Sequence, residues 1–176
     1  MPTSRSDKIS TILGMIEKLT PNSILDIGVG FGKWGVLCRE YLDVNRAAAE
    51  GRAYSDWKLR LVGIEAYEGY RNPAWGVYDE MLIGDVRELV ESLGHVDLVL
   101  GIDVLEHMPD YDVAKLMLQI RMRSRWRLWC VPARVRPQGA VFGNQYERHF
   151  VRGWRPTDFA GYKRKDVGKS VVFTNF

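Results

Sequence analysis

The chain has 176 residues, of which 46% are hydrophobic, and its 25 Lys and Arg against 22 Asp and Glu leave a net charge of +3. This length and composition predict a single domain over residues 1–176 and exclude wholesale disorder. No run approaches the roughly 20 apolar residues of a membrane helix, and no apolar stretch typical of a secretory signal follows residues 1–7. Cys38 and Cys130 lack the spacing of a zinc site. We therefore predict a cytoplasmic protein without a disulfide scaffold or membrane partner.

The first helix and strand are the clearest elements of the amino-terminal part. Apolar residues at helical spacing predict a helix over 9–19, capped by Ser6 or Asp7 and ended near Pro21. Residues 23–27 are a short apolar run before a glycine-rich turn, which indicates a buried strand. A second helix is predicted over residues 33–42, with four side chains facing inward: Val36, Leu37, Tyr41 and Leu42.

Strands and helices alternate along the rest of the chain. Residues 43–58 are predicted to be the end of a helix and a polar loop. Strands are predicted at 59–65, 80–83, 95–102 and 127–131, and helices at 87–93 and 112–122. Because the strands are apolar runs separated by helices, the pattern predicts an α/β fold with a Rossmann-like, doubly wound and mostly parallel sheet.

The carboxyl-terminal part begins with a long segment, residues 133–156, that has no periodicity. Loops of this length in compact domains are usually functional, so we expect substrate contacts there. Thr157 is predicted to cap a last short helix. Residues 162–167 and 169–175 flank Gly168 as an antiparallel hairpin, which brings the sheet to about seven strands.

The turn after the first strand, Asp26-Ile27-Gly28-Val29-Gly30-Phe31-Gly32, is the central motif. Glycines at this position allow the backbone to turn sharply and approach a ligand at a helix N-terminus. The segment from Gly30 to Gly35 also satisfies the GxGxxG pattern of dinucleotide sites. That pattern expects an acid about 20 residues further on. The acid that ends the next strand is Glu65, 37 positions past Gly28, and this spacing weakens the nicotinamide-dinucleotide interpretation.

Four motifs in order resemble the class I S-adenosylmethionine-dependent methyltransferases. They are Leu25–Gly32, Gly63-Ile64-Glu65, Gly84-Asp85-Val86 and Asp97–His107, whose Asp-Val-Leu-Glu-His end is similar to the small-molecule O-methyltransferases. The resemblance covers roughly residues 20–132. It implies an enzyme that uses S-adenosylmethionine and releases S-adenosylhomocysteine.

The resemblance also implies the cofactor contacts: Asp26, Gly28, Gly30, Gly32, Glu65, Ala66, Asp85, Val86 and Asp103. The glycines would cradle the methionine portion, and Asp26 would hold its amino group. Glu65 would accept both ribose hydroxyls, since a carboxylate has paired acceptors. Asp85 would accept from the adenine amino group, although an acid at this position can equally cap the helix that follows.

The segment Asp103–Pro109 places polar side chains where the methyl group would lie. In the O-methyltransferases that it resembles, an acid, a Glu and a His at this spacing are associated with a divalent cation. Asp103 and Glu106 would suit Mg²⁺ chemically, but we assign no metal and expect Glu106 and His107 to shape the pocket. His107 is the first candidate for a general base and His149 the second, because imidazole titrates near neutral pH.

These observations predict methyl transfer to a hydroxyl or amine of a small molecule. Three alternatives stay open: a nucleic-acid methyltransferase using the arginine-rich region 121–155, a dinucleotide-dependent oxidoreductase, and a non-catalytic S-adenosylmethionine-binding module. The modest net charge and the absence of an Asn/Asp-Pro-Pro-aromatic motif after the fourth strand disfavour the nucleic-acid interpretation. A shallow acceptor site, or one that a second subunit completes in a homodimer, is also expected.

Overall fold

The computed structural model describes residues 3–150 and 153–176. Its strands are β1 Ser23–Ile27, β2 Arg60–Glu65, β3 Glu80–Ile83, β4 Val96–Ile102, β5 Ser124–Pro132, β6 Lys163–Val167 and β7 Ser170–Thr174. They form one sheet in the order β3-β2-β1-β4-β5-β7-β6. The first five strands are parallel, and β7 pairs antiparallel with both β5 and β6. The predicted doubly wound sheet with a carboxyl-terminal hairpin is confirmed.

The strand order reverses direction between β1 and β4, which are neighbours in the sheet. In open α/β sheets, ligands bind in the crevice outside the carboxyl ends of the strands at such a switch point. The residues that follow β1 and β4, Gly28 and Asp103, therefore lie at the edge of the sheet where a site is expected.

Helices cover both faces of the sheet. They are α1 Ile9–Leu19, α2 Lys33–Arg39, α3 Asn45–Glu50, α4 Val86–Leu89 and α5 Asp110–Arg121. On one face, buried residues of α1 and α2 pack against strand residues such as Ile24 and Leu98. On the other face, α4 and α5 pack against the alternate strand residues, such as Leu25 and Val99. This double coverage explains why the central strands β1 and β4 are largely apolar runs rather than alternating ones.

The prediction for residues 43–58, the end of a helix followed by a polar loop, is confirmed, and the helix ends at Glu50. A π-helical turn, Glu40–Val44, joins α2 to α3. The buried Arg39 guanidinium holds the Asp43 carboxylate at 2.6 Å, and Asp43 Oδ1 accepts from the amide of Lys58 at 2.7 Å. This ion pair ties the extended helix to the strand that follows.

Two smaller predictions, the inward side chain of Val36 and the cap of the first helix, are wrong. Val36 is 38% exposed rather than inward, because α2 turns Trp34 and Cys38 toward the core. A 3₁₀ turn, Ser6–Lys8, precedes α1, and neither Ser6 nor Asp7 caps it.

The last helix also has a different cap from the predicted one. Thr157 does not cap the 3₁₀ helix Pro156–Phe159. Instead, the Asp158 carboxylate accepts from the Arg155 amide at 2.7 Å.

Candidate active site

The glycine turn between β1 and α2 is docked onto β2. Gly28 and Val29 donate backbone hydrogen bonds to the Ile64 carbonyl at 2.9 and 3.2 Å. Gly28 has φ +77°, in the left-handed region that favours glycine. A Cβ at this position would lie 2.3 Å from Cγ2 of Val104. Gly28 is therefore required both by the backbone conformation and by the close approach of the segment after β4.

A cavity opens to solvent outside the carboxyl ends of β1, β2 and β4, with about 860 Å³ of empty space; we call it the first cavity. Eight of the predicted site residues line it: Gly28, Gly30, Glu65, Ala66, Asp85, Val86, Asp103 and His107. Two predicted cofactor residues, Asp26 and Gly32, do not line it. Two of the three alternating glycines, together with Glu65 and Asp85, thus meet at one cavity, whereas the third predicted strand-end acid, Asp26, lies outside its lining.

Glu65 is held in place by backbone amides. Its Oε2 accepts from the Gly30 amide at 2.7 Å, and its Oε1 accepts from the Tyr67 amide at 3.0 Å. The residue is only 6% exposed. Burial raises the pKa of Glu65, an effect that these amide hydrogen bonds oppose. Each carboxylate oxygen keeps acceptor capacity beyond the bond described, so Glu65 can still accept from a ligand in the first cavity.

Asp85 is both a helix cap and a wall of the first cavity. It accepts from the Arg87 amide at 2.9 Å and caps α4, so the capping role is confirmed. The Arg87 guanidinium also donates to both Asp85 oxygens, to Oδ1 at 2.9 Å and to Oδ2 at 2.6 Å. Burial raises the pKa of Asp85, but these hydrogen bonds outweigh it and the pKa is lowered. Asp85 is therefore an ionised acceptor, and Arg87 is a neighbour that the motif did not predict.

Asp26 lies beneath the glycine turn and is 2% exposed. Its Oδ2 accepts from the Tyr78 hydroxyl at 2.6 Å. Burial raises the pKa of Asp26 to about 7. The Tyr78 hydroxyl also accepts from the Gly35 amide at 3.1 Å. Asp26 thus connects β1 to α2 through Tyr78.

Asp103 follows β4 and has φ +55°, a conformation uncommon outside glycine. The ammonium of Lys8 lies 2.6 Å from each Asp103 carboxylate oxygen. Lys8 is fully buried, and the Asp103 side chain is 23% exposed. The pair fastens the 3₁₀ turn before α1 to the wall of the first cavity.

A second cavity lies beside the first and shares three lining residues with it, Thr3, Asp103 and His107. It contains about 1,510 Å³ of empty space, open to solvent. Glu106 lines it and is 2% exposed, and its Oε2 has no hydrogen-bond partner among the described residues. Burial raises the pKa of Glu106 to about 8.

The two candidate bases lie together, with ring centroids 4.8 Å apart. His107 Nδ1 is 3.2 Å from the Arg148 carbonyl, and His149 Nδ1 is 2.5 Å from the Arg136 carbonyl. Because a carbonyl can only accept, Nδ1 is the donor in each ring, and Nε2 of the neutral ring is left to take a proton. Burial lowers the pKa of His107, which favours this neutral form. His107 lines both cavities, whereas His149 lines only the second.

Asp103 and Glu106, the acids expected to suit Mg²⁺, do not offer it a free pair of carboxylates, because both Asp103 oxygens contact Lys8. A different donor set is close together. Ligand atoms of Glu106, His107 and His149 lie within 4.8 Å of one another. Two imidazole nitrogens and one carboxylate do not fit Mg²⁺, which prefers oxygen ligands and octahedral geometry. We derive no step through a metal.

Several residues of the first cavity were missed by sequence reasoning. From the amino-terminal half they are Thr3, Ser4, Lys33, Trp34, Tyr70 and Arg87, and from the late loop they are Asn144 and Glu147. Tyr146, which also lines this cavity, is one of the late-loop aromatic residues for which substrate contacts were expected. The Tyr70 hydroxyl donates to Glu147 Oε1 at 3.0 Å, which connects the loop after β2 to the late loop. Position within residues 133–156 was the available signal for the late residues. Of the early residues, Lys33 and Trp34 lie within the Gly30–Gly35 segment and Arg87 directly follows the Gly84–Val86 motif, whereas Thr3, Ser4 and Tyr70 lie in none of the motifs.

The arginine-rich region does not form one surface. Arg127 is 9% exposed within β5, and its Nε donates to the Tyr162 hydroxyl at 3.1 Å. Arg121 is the last residue of α5, Arg125 lies at the amino end of β5, and Arg134 and Arg136 follow the carboxyl end of β5. Arg152 lies outside the described residues.

Among residues 3–150 and 153–176, none of the helices has the length and apolar character needed to cross a bilayer.

No protein-family model and no curated protein sequence matches the chain. Solved structures do. The N-terminal domain of EvdMO1 with SAH bound aligns at 12% identity and a TM-score of 0.63, over 97% of this chain and 80% of that domain. Magnesium protoporphyrin IX methyltransferase from Synechocystis PCC 6803 with bound SAH aligns at 14% identity and a TM-score of 0.58, over 95% of this chain and 80% of that protein.

An O-methyltransferase family protein from Burkholderia thailandensis aligns at 9% identity and a TM-score of 0.63, over 94% of this chain. The chain spans about half the length of that protein, 55%. At these identities the likeness concerns the fold alone. The chain therefore has the fold of the class I S-adenosylmethionine-dependent methyltransferases, as the resemblance implied.

Proposed function

We propose that this protein is an S-adenosylmethionine-dependent methyltransferase acting on a hydroxyl or amine of a small molecule. The observation that carries the proposal is the first cavity, which joins the glycine turn, Glu65 and Asp85 at the switch point of the sheet. Two solved structures of the same fold have SAH bound. The second cavity meets the first at His107 and offers space for a methyl acceptor.

Bound S-adenosylmethionine supplies a methyl group already activated by the sulfonium charge, so the protein's tasks are to bind, orient and remove a proton. Gly28 and Gly30 bring the backbone to the ligand. Glu65 offers its remaining acceptor positions to the ribose hydroxyls, and Asp85 accepts from the adenine amino group beside Val86. Ala66 and Asp103 complete the wall.

His107 is the base that the geometry favours. Its Nδ1 donates to the Arg148 carbonyl, so Nε2 is available for the acceptor's proton. It is the candidate base that lines both cavities. His149, at the far side of the ring pair, belongs to the acceptor side and is the second candidate.

We also propose one domain over residues 1–176, a late loop 133–156 that contacts substrate, a homodimer and a cytoplasmic location. The late loop gains support from Asn144, Tyr146 and Glu147, which line the first cavity. Nucleic-acid recognition by residues 121–155 loses support because those arginines lie at opposite edges of the sheet. A non-catalytic binding module would show cofactor affinity without turnover.

Calorimetric titration with S-adenosylmethionine, S-adenosylhomocysteine and NAD tests the proposal. We expect micromolar binding of the sulfonium pair, weakened at least tenfold in Glu65→Gln, and no binding of NAD. Glu68→Gln is the matched control, because Glu68 is a nearby acid with 66% side-chain exposure outside the cavity lining. Absence of binding by the unmodified protein would contradict the proposed function.

A further inference from the structure

The second cavity is larger than the first and is not needed by the nucleotide end of the cofactor. Carboxyl groups of Asp103 and Glu106 lie on its wall, together with five cationic side chains: Arg5, Lys8, Arg134, Arg136 and Lys169. Cations thus exceed carboxylates in this cavity. A concave surface with an excess of one charge concentrates ligands of the opposite charge.

Two of the five cationic side chains are paired with carboxylates and three are not. Lys8 forms an ion pair with Asp103, and Arg5 forms one with Asp7 at 3.2 Å. Arg134, Arg136 and Lys169 have no ion pair with any residue in 3–150 or 153–176. All three side chains are exposed, so they can reach an incoming anion.

The same cavity contains a buried polar atom without a partner. Glu106 Oε2 is inaccessible and has no hydrogen bond among the described residues, although Glu106 lines the cavity. A buried unpaired carboxyl oxygen is costly, and a ligand donor would relieve that cost. His107 lies next to Glu106 at the junction with the first cavity. A donor bound by Glu106 would therefore be near the proposed base.

We infer that the second cavity binds a methyl acceptor that is a small anion, with a carboxylate or phosphate held by Arg134, Arg136 and Lys169 and a hydroxyl or amine directed to Glu106 and His107. That this anion is a methyl acceptor rests on the proposed function. Binding of the anion itself can be tested without any turnover. Arginine suits both anionic groups because its guanidinium donates two parallel hydrogen bonds.

The test is a titration of the full chain with small-molecule probes at constant ionic strength, in which binding is measured from NMR chemical shifts. The probes are inorganic phosphate, benzoate, 3-hydroxybenzoate and the neutral 3-hydroxybenzamide. We expect the anions to bind and the neutral amide to bind at least tenfold more weakly. The tighter of benzoate and phosphate identifies the anionic group as carboxylate or phosphate.

Variants locate the site. Arg134→Gln/Arg136→Gln should weaken anion binding at least tenfold. Arg121→Gln, at an exposed arginine that ends α5 and does not line the second cavity, should leave it unchanged. Glu106→Gln should reduce the advantage of 3-hydroxybenzoate over benzoate. Equal binding of the neutral amide, or unchanged binding by the double variant, would overturn the inference. Anion binding by a protein that fails to bind S-adenosylmethionine would contradict the proposed function but support the anion site.

Discussion

The ammonium of Lys8 lies 2.6 Å from both carboxylate oxygens of Asp103, across 95 positions of sequence. The lysine precedes α1, and the aspartate follows β4 on the wall of both cavities. The pair therefore fixes the amino-terminal segment to the candidate site, and it compensates the charge of an acid held in the left-handed region of the backbone.

Lys8→Met should destabilise the protein by about 3 kcal/mol, because removing one partner leaves the other charge largely buried and unpaired. Urea denaturation measures this loss. Lys58→Met removes a lysine from a pair whose side chains are 65% and 41% exposed, and it should change stability by less than about 1 kcal/mol.

A second substitution separates the charge from the packing. Asp103→Asn, added to Lys8→Met, removes the unpaired charge, and asparagine tolerates positive φ. The double variant should recover part of the lost stability. If it is as unstable as the single variant, the ion pair is not the cause of the loss.

Mg²⁺ should alter neither the melting temperature nor the affinity for S-adenosylmethionine, because Lys8 already holds both Asp103 oxygens. Scanning calorimetry and titration with Mg²⁺ or with EDTA check this expectation. A clear dependence on Mg²⁺ would mean that Lys8 releases Asp103 in solution.

Gly28→Ala should weaken S-adenosylhomocysteine binding at least tenfold and destabilise the fold by about 2 kcal/mol or more. The new Cβ would need φ +77° and would lie 2.3 Å from the Val104 side chain. Gly51→Ala is the matched control, since Gly51 has φ +67° with open space around it. Its cost should be about 1 kcal/mol from the backbone alone.

The clash can be tested directly by making room for the new methyl group. Gly28→Ala/Val104→Ala should regain part of the stability lost in Gly28→Ala. An equal loss in Gly28→Ala and Gly51→Ala would show that the contact with Val104 is unimportant.

Sequence reasoning located the sheet and the first cavity because their signals are local. The apolar runs and the turn from Asp26 to Gly32 lie within short windows, and parallel strands bring their carboxyl ends to one edge. The sequence predicted that a helix ends within residues 43–58, but not the π-helical turn that joins α2 to α3, because the buried Arg39–Asp43 pair that stabilises this turn is visible only in the fold. Lys8 could not be predicted, because nothing near it in sequence indicates Asp103 as its partner.

Asp26 should make stability fall as pH rises. Burial raises its pKa to about 7, above the value of about 3.9 for an unfolded aspartate. Between those two values the unfolded chain has lost the proton and the folded chain retains it, so stability decreases from pH 4 to 7 and then levels off. The full effect is at most about 4 kcal/mol.

Asp26→Asn removes this titration while leaving an oxygen that can accept from Tyr78. Its stability relative to the unmodified protein should rise between pH 4 and pH 7 and stay constant above, as measured by urea denaturation. Asp166→Asn, an aspartate with 70% side-chain exposure, should show no such rise. A flat difference for Asp26→Asn would mean that Asp26 ionises normally in the folded state.

His107→Ala should reduce kcat by about 100-fold or more while changing S-adenosylmethionine affinity less than threefold, because a general base acts on the acceptor's proton and not on the cofactor. The measurement uses 3-hydroxybenzoate, the probe that carries both an anionic group and a hydroxyl. Burial lowers the pKa of His107, so kcat/KM should rise through that pKa at acid pH and be level at pH 7. His149→Ala should have a smaller effect, and His95→Ala, on the exposed residue before β4, should have none. Equal losses of turnover and cofactor affinity in His107→Ala would instead assign it to the cavity wall.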